Sequence, residues 1–151
     1  MRKGVYLYCN DKCYSMNNGR FAVSIHILTL LAEMPGEWLS SDYIAGSINI
    51  NPVLVRKEIS NLREAGLVES REGKNGGTTL AKPPSKILLS DVYMTVRQDL
   101  LLGRAKNSPN PDCKIGKQIN RHLEGLYEDV ENALLQKLGK KTLAEFHKQF
   151  R

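Results

Sequence analysis

Three cysteines and three histidines are the residues of this chain whose chemistry could reach beyond packing. Cys9 and Cys13 lie close together near the N-terminus, and Cys113 stands far from both. An odd number of cysteines excludes a fully paired disulfide framework. Cys9 and Cys13 supply at most half of a zinc site, because structural zinc takes four ligands. His26, His122 and His147 are scattered, without metal-ligand spacing and without a nucleophile motif nearby. Neither a metal site nor a catalytic arrangement is therefore expected. Cys113 follows Asn110-Pro111-Asp112, where the periodicity predicts the start of a long helix. A helix N-terminus stabilises a thiolate, and Lys114 and Lys117 act in the same sense while Asp112 opposes them. Cys113 is the candidate redox-sensing thiol, with Cys9 and Cys13 as disulfide partners; an unreactive loop cysteine is the alternative.

The other candidate chemistry is electrostatic. In "NPVLVRKEISNLREAG", residues 51–66, Asn51 suits a helix N-cap and Pro52 the first helical position, where a missing N–H costs nothing. Val55, Ile59 and Leu62 form a core stripe, and Gly66 stands where a left-handed residue ends the helix. Val53, Arg56, Lys57 and Ser60 share the opposite face. A helix that offers cations and a hydroxyl from its first turns can meet the major groove of a duplex. "LVES" and "TTLA" then read as two strands around "GKNGG", and Asn75-Gly76 predicts a tight hairpin turn between them. The hairpin would be a wing, reaching the duplex with Lys74, Asn75 and the bare amide of Gly76.

The elements that must position these residues begin further back. From Arg20, the residues Phe21, Ala22, Ile25, Leu28, Thr29 and Ala32 recur at helical spacing, and Val23, Ile27, Leu30 and Leu31 widen the apolar face. Such a helix is buried on more than one side. Pro35-Gly36 ends it, and Trp38 follows as a packed plug. "SSDYIAGSINI" gives a short helix capped by Ser40 or Ser41, with Tyr43, Ile44 and Ile48 inward; with the next helix it makes a helix-turn-helix. A short helix is expected near Ser90-Asp91, then a polar, proline-broken loop. Ile115, Ile119, Leu123, Leu126, Val130, Leu134 and Leu138 step by three and four along a helix of about 24 residues. That helix is too long for so small a domain to cover. Ile119, Leu123, Leu126, Val130 and Leu134 are expected to meet a second subunit in a homodimer. Thr142 caps a terminal segment.

Composition sets the outer bounds. The 151 residues are 41% hydrophobic and 25% charged, which is the globular range. A net charge of +6 points to a polyanionic partner but does not by itself name nucleic acid. No apolar run approaches a membrane span, and the first fifteen residues lack the apolar core of a signal peptide, so a cytoplasmic protein without membrane association is expected. The fold class is mostly α with a small β-hairpin wing. Residues 1–15 are an extension, 16–85 a winged helix-turn-helix domain, and 86–151 a linker with dimerisation helices. The expected function is a sequence-specific DNA-binding regulator. A regulator answering to a small-molecule ligand and a winged helix that binds protein instead of DNA remain as alternatives. An enzyme is not expected.

The motifs "MNNGRFAVSIHILTLLA", "NPVLVRKEISNLREAGLVESREGKNGGTTLAKP", "ILLSDVY" and "NPDCKIG", followed by a long helix, resemble the Rrf-two family of bacterial transcription regulators. The resemblance covers residues 16 to about 146. It implies a dimeric winged-helix repressor on double-stranded DNA with a palindromic operator and an interface of antiparallel long helices. It also implies DNA contacts from Pro52, Val53, Arg56 and Lys57, from Ser41 and Tyr43 of the preceding helix, and from Lys74, Asn75 and Gly76 of the wing. Two departures matter. Cluster-binding members place three cysteines just before the long helix, whereas this chain has Cys113 alone there, so no iron–sulfur cluster is expected. Thr78 stands where the family often has an aromatic residue after the wing glycines.

Overall fold

The computed structural model describes residues 16–150, with side chains from residue 19 onward. The N-terminal extension with Cys9 and Cys13 lies outside the described residues. The elements run α1 (Met16–Glu33), α2 (Ser41–Ile48), α3 (Pro52–Glu64), β1 (Val68–Arg71), β2 (Gly77–Leu80), α4 (Leu89–Val96), α5 (Ile119–Gly139) and α6 (Leu143–His147).

The helix-turn-helix forms for local reasons. Ser40 Oγ accepts the Tyr43 amide to start α2, and Asn49 ends it at φ 60°. Asn51 Oδ1 accepts the Val53 amide at 2.8 Å, and Pro52 fills the first position of α3. Gly66, at φ 68°, takes the left-handed conformation that closes α3. Val55, Ile59 and Leu62 are buried as their spacing predicts. In α1, Ile25, Ile27, Leu28 and Leu31 enter the core, but Ala22 is exposed. Tyr43 is also half exposed and not inward, because Ile44 and Ala45 already fill the inner face of the short α2.

β1 and β2 pair antiparallel, with Val68 opposite Leu80 and Arg71 opposite Gly77. The turn differs from the tight Asn75-Gly76 hairpin. Five residues, 72–76, join the strands. The Gly76 amide donates to the Gly73 carbonyl at 2.9 Å, and Gly73, at φ 100°, takes the left-handed angle while Asn75 does not. A third extended segment joins the wing: Leu39 and Thr78 exchange both backbone bonds, at 3.0 and 2.8 Å. Thr78 is buried in that contact and shares a hydroxyl bond with Ser70. Gly77 must be bare, since a Cβ there would stand 2.7 Å from the Trp38 backbone. Trp38 is half-buried and not a core plug: the Arg71 guanidinium lies 4.1 Å over its ring, and Leu39 beside it is the residue of the connection that enters the core.

One core joins residues on both sides of position 85, from Ile25 and Leu62 to Ile87, Val92 and Leu143. Two buried carboxylates brace it. Glu58 of α3 receives Arg20 Nε at 2.7 Å, Arg20 Nη2 at 3.2 Å and Asn61 Nδ2 at 3.1 Å, while Arg20 Nη1 donates to the Val96 carbonyl at the end of α4. Glu131 of α5 receives Arg97 at 2.7 Å, the Tyr93 hydroxyl at 3.2 Å and the Leu101 amide at 3.2 Å. Burial works against its ionised form, but these donors outweigh it and hold the carboxyl below its ordinary pKa.

α5 starts at Ile119, later than expected, and has 21 residues. Residues 110–118 form tight turns in its place, closed by Cys113 N–H to the Asn110 carbonyl and Lys117 N–H to the Cys113 carbonyl. Pro111 and Gly116 are poor helix interior residues, which explains the delay. Thr142 caps α6 through a reciprocal pair with Glu145.

Removing one member of a buried pair strands the other, at a cost of roughly 3 kcal/mol. Glu58→Ala is accordingly expected to lower the urea unfolding free energy by about that amount; a loss below 1 kcal/mol would show that the Arg20–Glu58 pair does not brace the fold.

Candidate nucleic-acid interface

The outer face of α3 is built by subtraction. With Val55, Glu58, Ile59 and Leu62 turned inward, Val53, Arg56 and Lys57 are left exposed and Ser60 half-buried. Glu58, although next to Lys57 in the sequence, faces Arg20 and does not neutralise the cations. Arg56 is oriented from α2: its Nη1 donates to Ser41 Oγ at 3.2 Å and lies 4.0 Å from Asp42 Oδ1. The structure thereby brings Ser41 and Arg56 together. Tyr43, Val53 and Leu54 add an exposed apolar fringe, with Val53 at 60% exposure. Such groups suit thymine methyls as cations suit phosphates and guanine edges. Pro52 is half-buried and serves the helix start.

On the wing, Lys74 and Asn75 are exposed at the tip. Arg71 Nε donates to the Asn75 carbonyl at 3.0 Å and braces the loop. The Gly76 amide is engaged within the turn, so the wing does not offer it bare. A Cβ at Gly76 would stand 2.4 Å from the Arg71 carbonyl, so its geometric role is to let the turn close.

Glu58 and Glu131, which orient the whole arrangement, are not among the sequence candidates. Their signal is an acid at a core position: Glu58 sits within the Val55–Ile59–Leu62 stripe, and Glu131 beside Val130 and Leu134. Of α5, only Glu131 is buried; Ile119, Leu123, Val130 and Leu134 are half-buried and Leu126 is 52% exposed.

Cys113 lies in the turns before α5 and not in its first helical turn. It is exposed, and the Gly116 and Ile115 backbone amides at its sulfur hold the thiol below its ordinary pKa. The cause is thus local amides, not the helix terminus or Lys114 and Lys117. A cluster needs about four ligands, mostly thiolates. Cys113 is the one cysteine among the described residues, and no group of three or more His, Cys, Asp or Glu there could hold a metal ion. The described residues do not supply the donor set of an iron–sulfur cluster. No helix among them is long and apolar enough to cross a membrane.

A helix-turn-helix, a wing braced against it, and a cationic outer helix face make up the winged-helix architecture of the class of transcription regulators. The chain belongs to the Rrf2 family, described as iron-dependent transcriptional regulators, which matches residues 17–149. It is 41% identical to YwnA of Bacillus subtilis, whose name describes an HTH-type transcriptional regulator, over 86% of this chain and 96% of that protein. It is 30% identical to the HTH-type transcriptional regulator NsrR of Halalkalibacterium halodurans, over 81% of this chain and 83% of that one. The structure of CymR, the global cysteine regulator of B. subtilis, superposes with a TM-score of 0.63 at 22% identity, covering 91% of this chain and 97% of that one, and shows the shared fold.

Because amide donors lower the Cys113 pKa, its thiolate fraction rises at lower pH than for an ordinary thiol. Site-resolved alkylation of Cys113 should therefore inflect at lower pH in the wild type than in Gly116→Ala, whose Cβ would collide with the Asn110 carbonyl and displace the donors. Identical profiles would show that the turn does not activate the thiol.

Proposed function

We propose that the chain is a sequence-specific repressor that binds a palindromic operator as a homodimer. Residues 16–85 bind the duplex and residues 86–151 join the subunits. The observation that carries this reading is the Val53–Arg56–Lys57–Ser60 face, left outward by a buried Glu58 and oriented through Ser41. Arg56 and Lys57 bind base edges and phosphates, Ser41, Tyr43, Pro52 and Val53 line the helix tip, and Lys74 and Asn75 reach the backbone from the wing, with Gly76 shaping its turn. The homodimer is supported by α5, whose own chain buries only Glu131, and by exposed Leu101, Leu102, Ile115 and Leu126 around its N-terminal half. A second α5 laid antiparallel on Ile119, Leu123, Leu126, Val130 and Leu134 removes that surface from water. Two subunits then place two recognition helices about one duplex turn apart.

Cys113 acts as a thiol switch in this reading. A peroxide takes two electrons and two protons from Cys113 and a second thiol, Cys9, Cys13 or one from the other subunit, to leave a disulfide and water. The bond draws on the turns that lead into α5, and a rotation of α5 changes the spacing of the recognition helices.

Two measurements test the proposal. By fluorescence anisotropy on the chain's own upstream DNA, Arg56→Ala and Lys57→Ala should each weaken binding by about 1–3 kcal/mol, with unchanged circular dichroism; Leu126→Asp should weaken it by splitting the dimer in sedimentation. Unchanged affinity in both alanine variants removes this face from the interface. Mild peroxide should reversibly release wild-type protein from DNA and leave Cys113→Ser bound; a serine variant that still responds excludes Cys113 as the sensor.

A further inference from the structure

The first helix is apolar on more of its circumference than one core requires. Ile27, Leu28 and Leu31 of α1 are buried in the core. A second stripe, Phe21, Ala22, Thr29 and Leu30, with Ile25 at its border with the core, also lines a different space. That space is a groove of about 730 Å³, open to solvent on one side, between α1, the start of α4, the end of α5, and the end of α6 with the residues that follow it. Small-molecule sites fall in the range of roughly 300–1,000 Å³, with mostly apolar walls and a few placed polar groups. The far wall is fixed by backbone bonds, Leu89 N–H to the Lys141 carbonyl at 3.0 Å and Leu143 N–H to the Ile87 carbonyl at 2.8 Å, so the cavity does not depend on an occupant to form.

The lining specifies the chemistry of what it would hold. Three aromatic rings, Phe21, Phe146 and Phe150, contribute to it, and Phe146 and Phe150 already pack edge to face at 5.4 Å. An aromatic guest can extend that geometry. The polar groups at the lining are Thr29, His26, Glu33, Lys141, His147 and Gln149. Thr29 Oγ1 donates to the Ile25 carbonyl, His26 is bonded to Ser47, and Glu33 is bonded to the buried His147. Lys141 has no acidic oxygen within 4.0 Å among the described residues; its acidic neighbour Glu145 is bonded to Thr142 and feels Lys141 only at longer range. The one lining carboxylate is thus engaged, and a cation remains at the edge of an aromatic pocket.

We propose that this cavity binds a small aromatic carboxylate, with its ring among Phe21, Phe146 and Phe150 and its carboxylate on Lys141, and that occupancy changes DNA affinity. The effector role rests on the regulator reading above; the binding itself does not. The cavity lies between α1, which packs on α2 and α3, and the end of the long helix, so a guest bears on both the recognition unit and the element that joins subunits.

The test titrates full-length protein with 2-naphthoate, a fluorescent aromatic acid, and with neutral 2-naphthamide. Wild type should bind one naphthoate per chain saturably. Lys141→Gln should weaken naphthoate at least tenfold and leave naphthamide unchanged. Ala22→Trp fills the cavity from an exposed position and should abolish binding of both. If circular dichroism shows Ala22→Trp unfolded, Phe150→Ala replaces it and should weaken both at least fivefold. Absent saturation, equal loss of acid and amide in Lys141→Gln, or dissociation of the dimer by Ala22→Trp, which would identify a second copy as the occupant, overturns the site. Saturating naphthoate should shift wild-type DNA affinity at least threefold and not that of Ala22→Trp; an unchanged wild type overturns the effector role. Failure to bind the upstream DNA both with and without naphthoate would instead sink the regulator reading, and leaves the binding site tested separately, since the naphthoate titration uses no DNA.

Discussion

The placement of α3 depends on one ion pair. Arg20 grips Glu58 with two nitrogens and gives a third to the Val96 carbonyl, so a single guanidinium fixes α1, α3 and the end of α4 to one another. Guanidinium geometry suits this better than an ammonium could, because its planar fork can serve a carboxylate and a carbonyl at once. The carboxylate is nearly excluded from water, so its partner is obligatory. The next residue after Val96 is Arg97, which seizes Glu131 of α5. Adjacent positions thus hold the winged unit and the long helix, and little slack separates the two.

This arrangement divides the molecule into a braced half and an open half. The winged unit shares one core with α4 and α6, caps the starts of α2 and α3 with Ser40, Asn51 and Pro52, and adds Leu39 as a third extended partner to the wing. The long helix is anchored near its middle by Glu131, and further by packing on α4 and by Leu138 against the core, while its N-terminal half shows apolar groups to solvent. Soluble chains rarely leave such a stripe without use.

Much of this was legible in local sequence. Asn51-Pro52, Gly66, the Val55–Ile59–Leu62 stripe, the two strands and the Thr142 cap are all decided within a few residues of themselves, and the structure has them. What was not legible depends on distant partners. Glu58 reads as one more surface acid until Arg20, 38 residues away, is placed beside it. Glu131 is unremarkable without Arg97 and Tyr93. The start of α5 was misplaced because its apolar period extends back to Ile115, whereas Gly116 is held against the Asn110 carbonyl and keeps that stretch in turns. In the wing, Asn-Gly is a strong turn pair, but the left-handed angle went to Gly73.

The wing has one last consequence, in the freedom it leaves to evolution. Gly77 lies so close to the Trp38 and Leu39 backbone that no side chain fits, and Thr78 is sealed against Leu39. Gly77, at the base of the hairpin, is thereby closed to substitution. Glu72, Lys74 and Asn75 at the tip are exposed and bear on nothing in the core. A lineage can exchange those residues without disturbing the fold. Where the wing stands and what it meets are therefore inherited separately, and descendants of one ancestral sequence can diverge in partner preference while keeping the same frame.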